Sequence, residues 1–244
     1  MVGGIIGEVH PESVAANISN LHNYADIGSS GTIFSRGNNA GNGANGFEVG
    51  GIAGFSTTST TSLLANFSSC VNDGNIYTDA GRSSGIVAGC NRYTKLLNCT
   101  NNGNVVSSVS GTFRLANITC IAGEGSILEG CVKTGDLTAL NCVSVAGVVC
   151  LVNHATVQIK DCASLGATIL GMSVNLSGNQ TYNGVLFGYC NVAATFSNCR
   201  INGYIGTDAD NKVALSASNY FQFAGQRGTN CGSSCNTTNI TFAE

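Results

Sequence analysis

Apolar and polar positions fall along this chain in a phrase of seven residues that keeps returning. It reads LHNYADI at 21–27, CVNDGNI at 70–76, CTNNGNV at 99–105, CVKTGDL at 131–137, CASLGAT at 162–168 and CRINGYI at 199–205. Take its first residue as position zero. Position minus three is apolar in every copy: Ile18, Phe67, Leu96, Leu128, Ile159 and Phe196. Position zero is Leu21, then Cys70, Cys99, Cys131, Cys162 and Cys199. Position plus six is Ile27, Ile76, Val105, Leu137, Thr168 (with Ile169 beside it) and Ile205. Position plus four is Ala25, then Gly74, Gly103, Gly135, Gly166 and Gly203, preceded in three copies by Asp73, Asn102 and Asn202. Such Asp-Gly and Asn-Gly pairs suit φ > 0, so these glycines are expected at corners between strands.

A second phrase precedes the first in each unit. It reads GGIIG at 3–7, GGIAG at 50–54 and GIVAG at 85–89. Looser copies are CIAG at 120–123, SVAG at 144–147, GVLFG at 184–188 and QFAG at 222–225. Lining them up puts Ile5, Ile52, Ile86, Ile121, Val145, Val185 and Phe223 in one column. The segments are short, rich in β-branched residues and bounded by Gly, Asn and Ser. No 3.6-residue period runs through them, so helical repeats are excluded.

Each unit therefore holds three short strands, and successive cysteines of the main phrase stand 29 to 37 residues apart. A near-constant period of this kind marks stacked units. The pattern predicts an all-β fold: a right-handed parallel β-helix, or β-solenoid, of about seven turns with three short strands each. At ~4.8 Å per turn the rod is about 35 Å long. Residues 1–244 form a single solenoid in this reading. Residues 28–48 are an inserted Gly/Asn-rich loop, 56–62 a second loop, and 207–244 an atypical C-terminal turn.

The two phrases resemble the GLUG-type repeat of right-handed parallel β-helices in bacterial secreted and surface proteins. There a Gly-Gly-aliphatic-x-Gly strand is followed by an Asn-Cys-x-Asn-x-Gly-x-Ile segment. The likeness runs over most of residues 2–206 and loosens at the Cys162 copy and in the last turn. It implies an extracellular or cell-surface location and a scaffold or adhesive role, and it implies no reaction.

Composition narrows the function classes. Charged residues make up 9% of the chain, against roughly 25% in ordinary globular domains. The formal net charge is −3, and the ten Lys and Arg are scattered. Nucleic-acid binding would need a basic stripe or patch, so it is not expected. No apolar run approaches the ~20 residues of a membrane-spanning helix. The opening MVGGIIGEVH has neither the charged n-region nor the apolar h-region of a signal peptide. A mature region or an excised piece of a secreted protein is expected.

Twelve cysteines raise the question of disulfides or zinc. Cys70, Cys99, Cys131, Cys162 and Cys199 share one column beside an apolar one, so they are expected to point inward as small hydrophobes. Cys90, Cys120, Cys142, Cys150 and Cys190 lie near the second phrase and are expected to pack likewise. Zinc needs a convergent tetrahedral set, and a ladder is linear, so no metal or cofactor is expected. Cys231 and Cys235 sit in a Gly/Ser stretch outside the repeat and could close a small disulfide.

No catalytic residue stands out. Glu129 and Lys160 share a column position, which suggests a cross-turn ion pair. Asp26, Asn75, Asn104 and Asp136 at plus five read as an outward polar ladder. Asp208 and Asp210 lack the Gly and distal Glu of an EF-hand. His10, His22 and His154 are far apart in register. Tyr77, Tyr93, Tyr189 and Tyr204 fall in different columns, which argues against an aromatic glycan platform. The chain begins inside a repeat strand and shows no capping helix, so end-to-end self-association or continuation of a longer solenoid is expected. The leading expectation is a non-enzymatic extracellular structural or adhesive solenoid. The alternative is a polysaccharide-binding or polysaccharide-degrading β-helix, lyase or hydrolase, which would need two converging acids, or an acid with Arg or Lys, in a groove.

Overall fold

A computed structural model describes residues 1–29, 48–58, 60, 63–78, 81–107, 111–139, 142–166, 168–170, 182–190, 192–220, 224–227 and 236–244. Their regular structure consists of short strands in five sheets. Sheet A runs from Val2–Gly3 through Glu48–Gly50, Arg82–Ser84, Gly111–Ala116 and Cys142–Ala146 to Tyr182–Gly184. Sheet B begins at Ile6–Val9, sheet C at Ala16–Ser19 and sheet D at His22–Asn23; each holds seven strands. Sheet E begins at Ile76–Tyr77 and holds six. The chain passes A, B, C, D and E in order, then starts the next turn on A. Neighbours within a sheet are thus one turn apart and parallel, with one exception described below. This is a parallel β-helix of about seven turns. Turn four, which matters most here, runs from Gly111–Ala116 to Leu137–Ala139.

Each turn carries up to five strands where three were expected, because glycine-rich points break two of the walls. The second phrase kinks between sheets A and B. The first phrase breaks near its glycine into a sheet D strand and a sheet E strand. The corner at φ > 0 lies elsewhere, at position minus one between sheets C and D. It is left-handed in all seven turns: Asn20 (φ 56), Ser69 (51), Asn98 (52), Gly130 (65), Asp161 (52), Asn198 (55) and Asn239 (54). Asn, Asp and Gly tolerate this region best, which accounts for six of the seven. The corner N–H groups of the first six turns donate to the next turn, as in Ser69 N to Leu97 O at 2.9 Å and Asn98 N to Glu129 O at 2.8 Å.

The plus-four glycines therefore need a different explanation from the one expected. Of the five, Gly166 (φ 65) and Gly203 (φ 107) adopt positive φ, and Gly74, Gly103 and Gly135 do not. A Cβ on Gly74 would lie 2.0 Å from Ala25 O, on Gly103 2.0 Å from Gly74 O, and on Gly135 2.1 Å from Gly103 O. Glycine stands there because the backbones of successive turns touch.

The columns at minus three, zero and plus six face the interior. Phe67, Leu96, Leu128, Ile159, Phe196, Ile76, Val105, Leu137 and Ile205 are all buried, with the five cysteines between them. The second-phrase column departs from the expected alignment. Backbone hydrogen bonds carry it from Ile52 and Ile86 to Ile118, Val148 and Leu186. Ile121 instead lies opposite Gly89 and Leu151. It belongs to a second, smaller cluster with Ala116, Cys120, Ala146 and Cys150. Val145 pairs with Leu115 and Asn183. The looser copies hold several Gly and aliphatic residues within a few positions, so the motif alone does not fix their register. Phe223 lies outside the described residues.

The exception to parallel pairing is at the C-terminal end. After Tyr204–Gly206 the chain reverses through a turn in which Asp208 Oδ1 accepts from the N–H groups of Asp210 and Asn211 at 3.0 and 2.9 Å. Lys212–Ala214 then pairs antiparallel on the outer edge of sheet E. Leu215 and Tyr220 fold back onto the core, and Tyr220 Oη donates to Ile240 O at 3.2 Å. The edge expected to be open is thus occupied on this sheet. Sheets B, C and D each gain one further parallel strand, in Gln226–Arg227, Asn236–Thr238 and Thr241–Phe242.

Candidate functional site

Three polar arrangements run along the rod. The first is internal and sits at position plus two. Because side chains alternate along a strand, an inward residue at zero implies another at plus two. That column is Asn23, Asn72, Asn101, Lys133, Ser164 and Ile201, and all six are buried. Asn23 Nδ2 donates to Asn72 Oδ1 at 2.7 Å, and Asn72 Nδ2 to Asn101 Oδ1 at 2.6 Å. Each amide also donates to a carbonyl two residues on: Ala25 O (2.9 Å), Gly74 O (2.8 Å) and Gly103 O (2.8 Å).

The amides fit because glycines face them. A Cβ on Gly4, Gly51 or Gly85 would come within 3.0, 2.5 or 2.0 Å of the amide carbon of Asn23, Asn72 or Asn101. At turn four the pair changes. Asn117 takes the glycine's place and Lys133 the amide's. Asn117 Nδ2 donates to Gly135 O at 3.0 Å, and Lys133 Nζ donates to the same oxygen at 3.3 Å. Lys133 is completely buried and forms no ion pair with a carboxylate among the described residues. Burial pushes its pKa down to about 7, with distant Asp136 opposing. Asn117 Oδ1 and Ser164 Oγ, also buried, have no hydrogen-bond partner. At turn five the facing residues are Gly147 and Ser164.

The second arrangement is the outward ladder at plus five. Asp26 Oδ1 accepts from Asn75 N (2.7 Å), Asn75 Oδ1 from Asn104 N (3.0 Å), Asn104 Oδ1 from Asp136 N (2.8 Å) and Asp136 Oδ1 from Thr168 N (2.7 Å). A parallel row at plus three links Asp73, Asn102 and Thr134. His22 Nε2 lies 2.6 Å from Asp73 Oδ2 and stacks on Tyr24. The Asn102 amide, with His22, holds the Asp73 carboxyl below its ordinary pKa. Glu129 and Lys160 are register partners, but their side chains form no ion pair. The ion pairs among the described residues are His22–Asp73, Arg82–Glu48 and Arg92–Glu124.

The third arrangement is on sheet A, and no sequence motif pointed to it. Glu48, Arg82 and Arg114 are register partners on three successive turns. Arg82 Nη1 donates to Glu48 Oε1. The two side chains are only 5% (Glu48) and 13% (Arg82) exposed. Burial raises the Glu48 pKa to about 6, against the opposing pull of Arg82. Gly89 leaves the room for the carboxylate, since a Cβ there would lie 3.0 Å from both of its oxygens. Glu48 Oε2 has no partner. Arg114, one turn above, forms no ion pair among the described residues. This is an acid with arginines, and the Glu8 carboxylate adds a weak push on Glu48 in the same direction as burial, but the Glu48 carboxylate itself is buried. General acid–base work needs a group that a substrate's proton can reach, and Glu48 is closed off.

The nine described cysteines are all free and buried. The ladder thiols point to main-chain carbonyls, as in Cys131 Sγ to Leu96 O at 3.3 Å and Cys199 Sγ to Ser197 O at 3.4 Å. Stacked thiol neighbours and burial push Cys70, Cys99 and Cys131 up, Cys99 to about 12, so they stay thiols. Cys90 and Cys190 pack in the main core, whereas Cys120 and Cys150 belong to the second cluster. The side chain of Cys142, the pair Cys231 and Cys235, and residues 30–47 of the expected insertion at 28–48 lie outside the described residues. Among the described residues no group of three or more His, Cys, Asp or Glu could hold a metal ion. No protein-family model, curated protein or solved structure matches this chain.

Proposed function

We propose that this chain is a non-enzymatic structural or adhesive β-solenoid of the cell surface or extracellular space. The carrying observation is how its polar groups are used. Amide and carboxylate side chains are tied from turn to turn along the rod, inside and out, and Glu48, the one buried acid among the described residues, is paired with Arg82. Such ladders stiffen a stack and engage these polar groups as links between turns. The likeness to surface-protein repeats supports the location. Further turns, or a second copy, would add through the edges of sheets A to D, since Lys212–Ala214 occupies the edge of sheet E.

The second reading, a polysaccharide lyase or hydrolase, is favoured only by the Glu48–Arg82–Arg114 column. One experiment separates the two. The purified protein is incubated with acidic and neutral polysaccharides, and reducing ends and the absorbance of unsaturated uronates are followed. Cellulose, pectin and host-cell matrix are assayed in parallel for pull-down. No cleavage is expected. Cleavage that disappears in Glu48→Gln would overturn the structural reading. Electron micrographs of the same material should show discrete rods or end-to-end stacks.

A further inference from the structure

The interior polar column changes character at one turn. Through the first three turns it is a chain of amides in which every donor used has an acceptor. At turn four it meets an ammonium-bearing side chain, and two of the six unpartnered buried polar atoms among the described residues, Asn117 Oδ1 and Ser164 Oγ, lie at the same level or one turn on. We propose that turn four is a proton-controlled seam: Lys133, walled in without a counter-ion, favours local opening of this turn when its amine is charged and closure when it is neutral.

The surroundings leave the charge uncompensated. On the turn below stands Asn101, on the turn above Ser164, and across the interior Asn117. None is ionisable. In the next column the Cys131 thiol, pushed up by its stacked thiol neighbour and by burial, stays protonated. Among the described residues Asp136 is the carboxylate that acts on the amine; it is exposed, and its Oδ1 is engaged by Thr168 N. Glu48, Arg82 and Arg114 belong to the partly covered row on sheet A that starts with the Glu48–Arg82 pair. A buried cation in this position is strongly disfavoured unless it sheds its proton.

The sign follows from linkage. The closed turn holds Lys133 near 7, whereas an opened turn returns it to its ordinary 10.5. Between these values opening takes up a proton. Opening therefore becomes about tenfold less favourable per pH unit from 7 toward 10, and below 7 it levels off at its most favourable.

The cysteine column supplies a probe on each turn, since Cys70, Cys99, Cys131, Cys162 and Cys199 are all free and buried. Native protein is alkylated with iodoacetamide between pH 7.5 and 9.5, and each cysteine is quantified by peptide mass spectrometry. The ratio of Cys131 to Cys199 rates cancels the pH dependence of thiol reactivity itself. This ratio is expected to fall by up to about tenfold per pH unit, and to stay flat in Lys133→Met. A flat ratio in the unaltered protein, or the same fall in the variant, overturns the proposal. If Lys133→Met does not fold, Cε-labelled lysine NMR of the unaltered protein decides: one lysine titrating below pH 8 supports the seam, and all titrating near 10 refutes it.

Discussion

Two asparagines three residues apart give a direct measure of what the inner ladder contributes. Asn72 lies inside and Asn75 outside, on the same phrase of the same turn. Replacing Asn72 with Ala removes three hydrogen bonds: to Gly74 O at 2.8 Å, to Asn101 Oδ1 at 2.6 Å, and from Asn23 Nδ2 at 2.7 Å. It strands Gly74 O, Asn101 Oδ1 and one Asn23 N–H in a region closed to water. Each stranded buried group costs about 1–3 kcal/mol. The site cannot collapse to recover this, because the facing wall is backbone, at Gly51. We expect a loss of about 3–5 kcal/mol for Asn72→Ala. Asn75→Ala removes a bond to Asn104 N at 3.0 Å and the contact with Asp26. Water replaces both at the surface, so the loss should stay below about 1 kcal/mol.

The assay is urea unfolding followed by far-ultraviolet circular dichroism. With a slope of about 3 kcal/mol/M, Asn72→Ala should lower the midpoint by roughly 1–2 M, and Asn75→Ala by a few tenths. Solenoids can lose cooperativity, so the comparison requires equal slopes. Equal losses for the two variants, or a larger loss for Asn75→Ala, would refute the idea that the inner amides are dry and mutually dependent.

Four further variants test the plus-four glycines and the sealed acid. Gly103→Ala forces a Cβ to within 2.0 Å of Gly74 O and should cost at least about 3 kcal/mol. Gly166→Ala meets nothing within 4 Å at φ 65 and should cost only the left-handed penalty of about 1–2 kcal/mol; thermal midpoints rank the two. Arg82→Ala leaves Glu48 buried without its cation and should cost about 3–5 kcal/mol. Glu48 itself carries a pH signature. Its folded pKa of about 6 lies above the ordinary 4.5, so the folded state holds the extra proton between these values. Stability should fall by at most about 2 kcal/mol as pH rises from 4.5 to 6, and that slope should vanish in Glu48→Gln, read from urea midpoints at each pH.

How much of this was legible depended on whether a position has interchangeable occupants. The apolar columns at minus three and plus six were readable, because burial demands only apolarity and size. The plus-five ladder was readable for the converse reason, since polar residues recur at a fixed offset from an inward column. The plus-two column was equally accessible through the period of two, but its occupants run Asn, Asn, Asn, Lys, Ser, Ile. A polar residue in a polar-looking phrase does not announce that it faces inward. The left-handed corner was masked because Asn-Gly and Asp-Gly pairs sat four residues away and drew the turn assignment to themselves. Glu48, Arg82 and Arg114 carry no motif. Only the stacking of turns whose connecting segments differ in length brings them into one row.

The inner ladder also bears on how the turns find their register. Ile, Val, Leu and Phe replace one another along the apolar columns, so these columns tolerate a slipped pairing. The facing pair of Gly and Asn does not, because the amide fits only opposite a residue without a side chain. Turn four keeps the logic with the partners changed, since Asn117 and Lys133 share Gly135 O. The two positions should therefore be coupled. Lys133→Asn alone leaves two amides competing for one carbonyl, with Asn117 occupying the space the new amide needs. Asn117→Gly alone leaves Lys133 as the sole donor to Gly135 O in a widened, dry cavity. Together they rebuild the Gly and Asn pairing of turns one to three and extend the ladder from Asn101. A double-mutant cycle at pH 7 should give a favourable coupling of about 1–3 kcal/mol, with the double variant more stable than the unaltered protein because the buried amine is gone. Additive losses would mean that the two walls do not sense each other, and that register is set by the apolar columns after all.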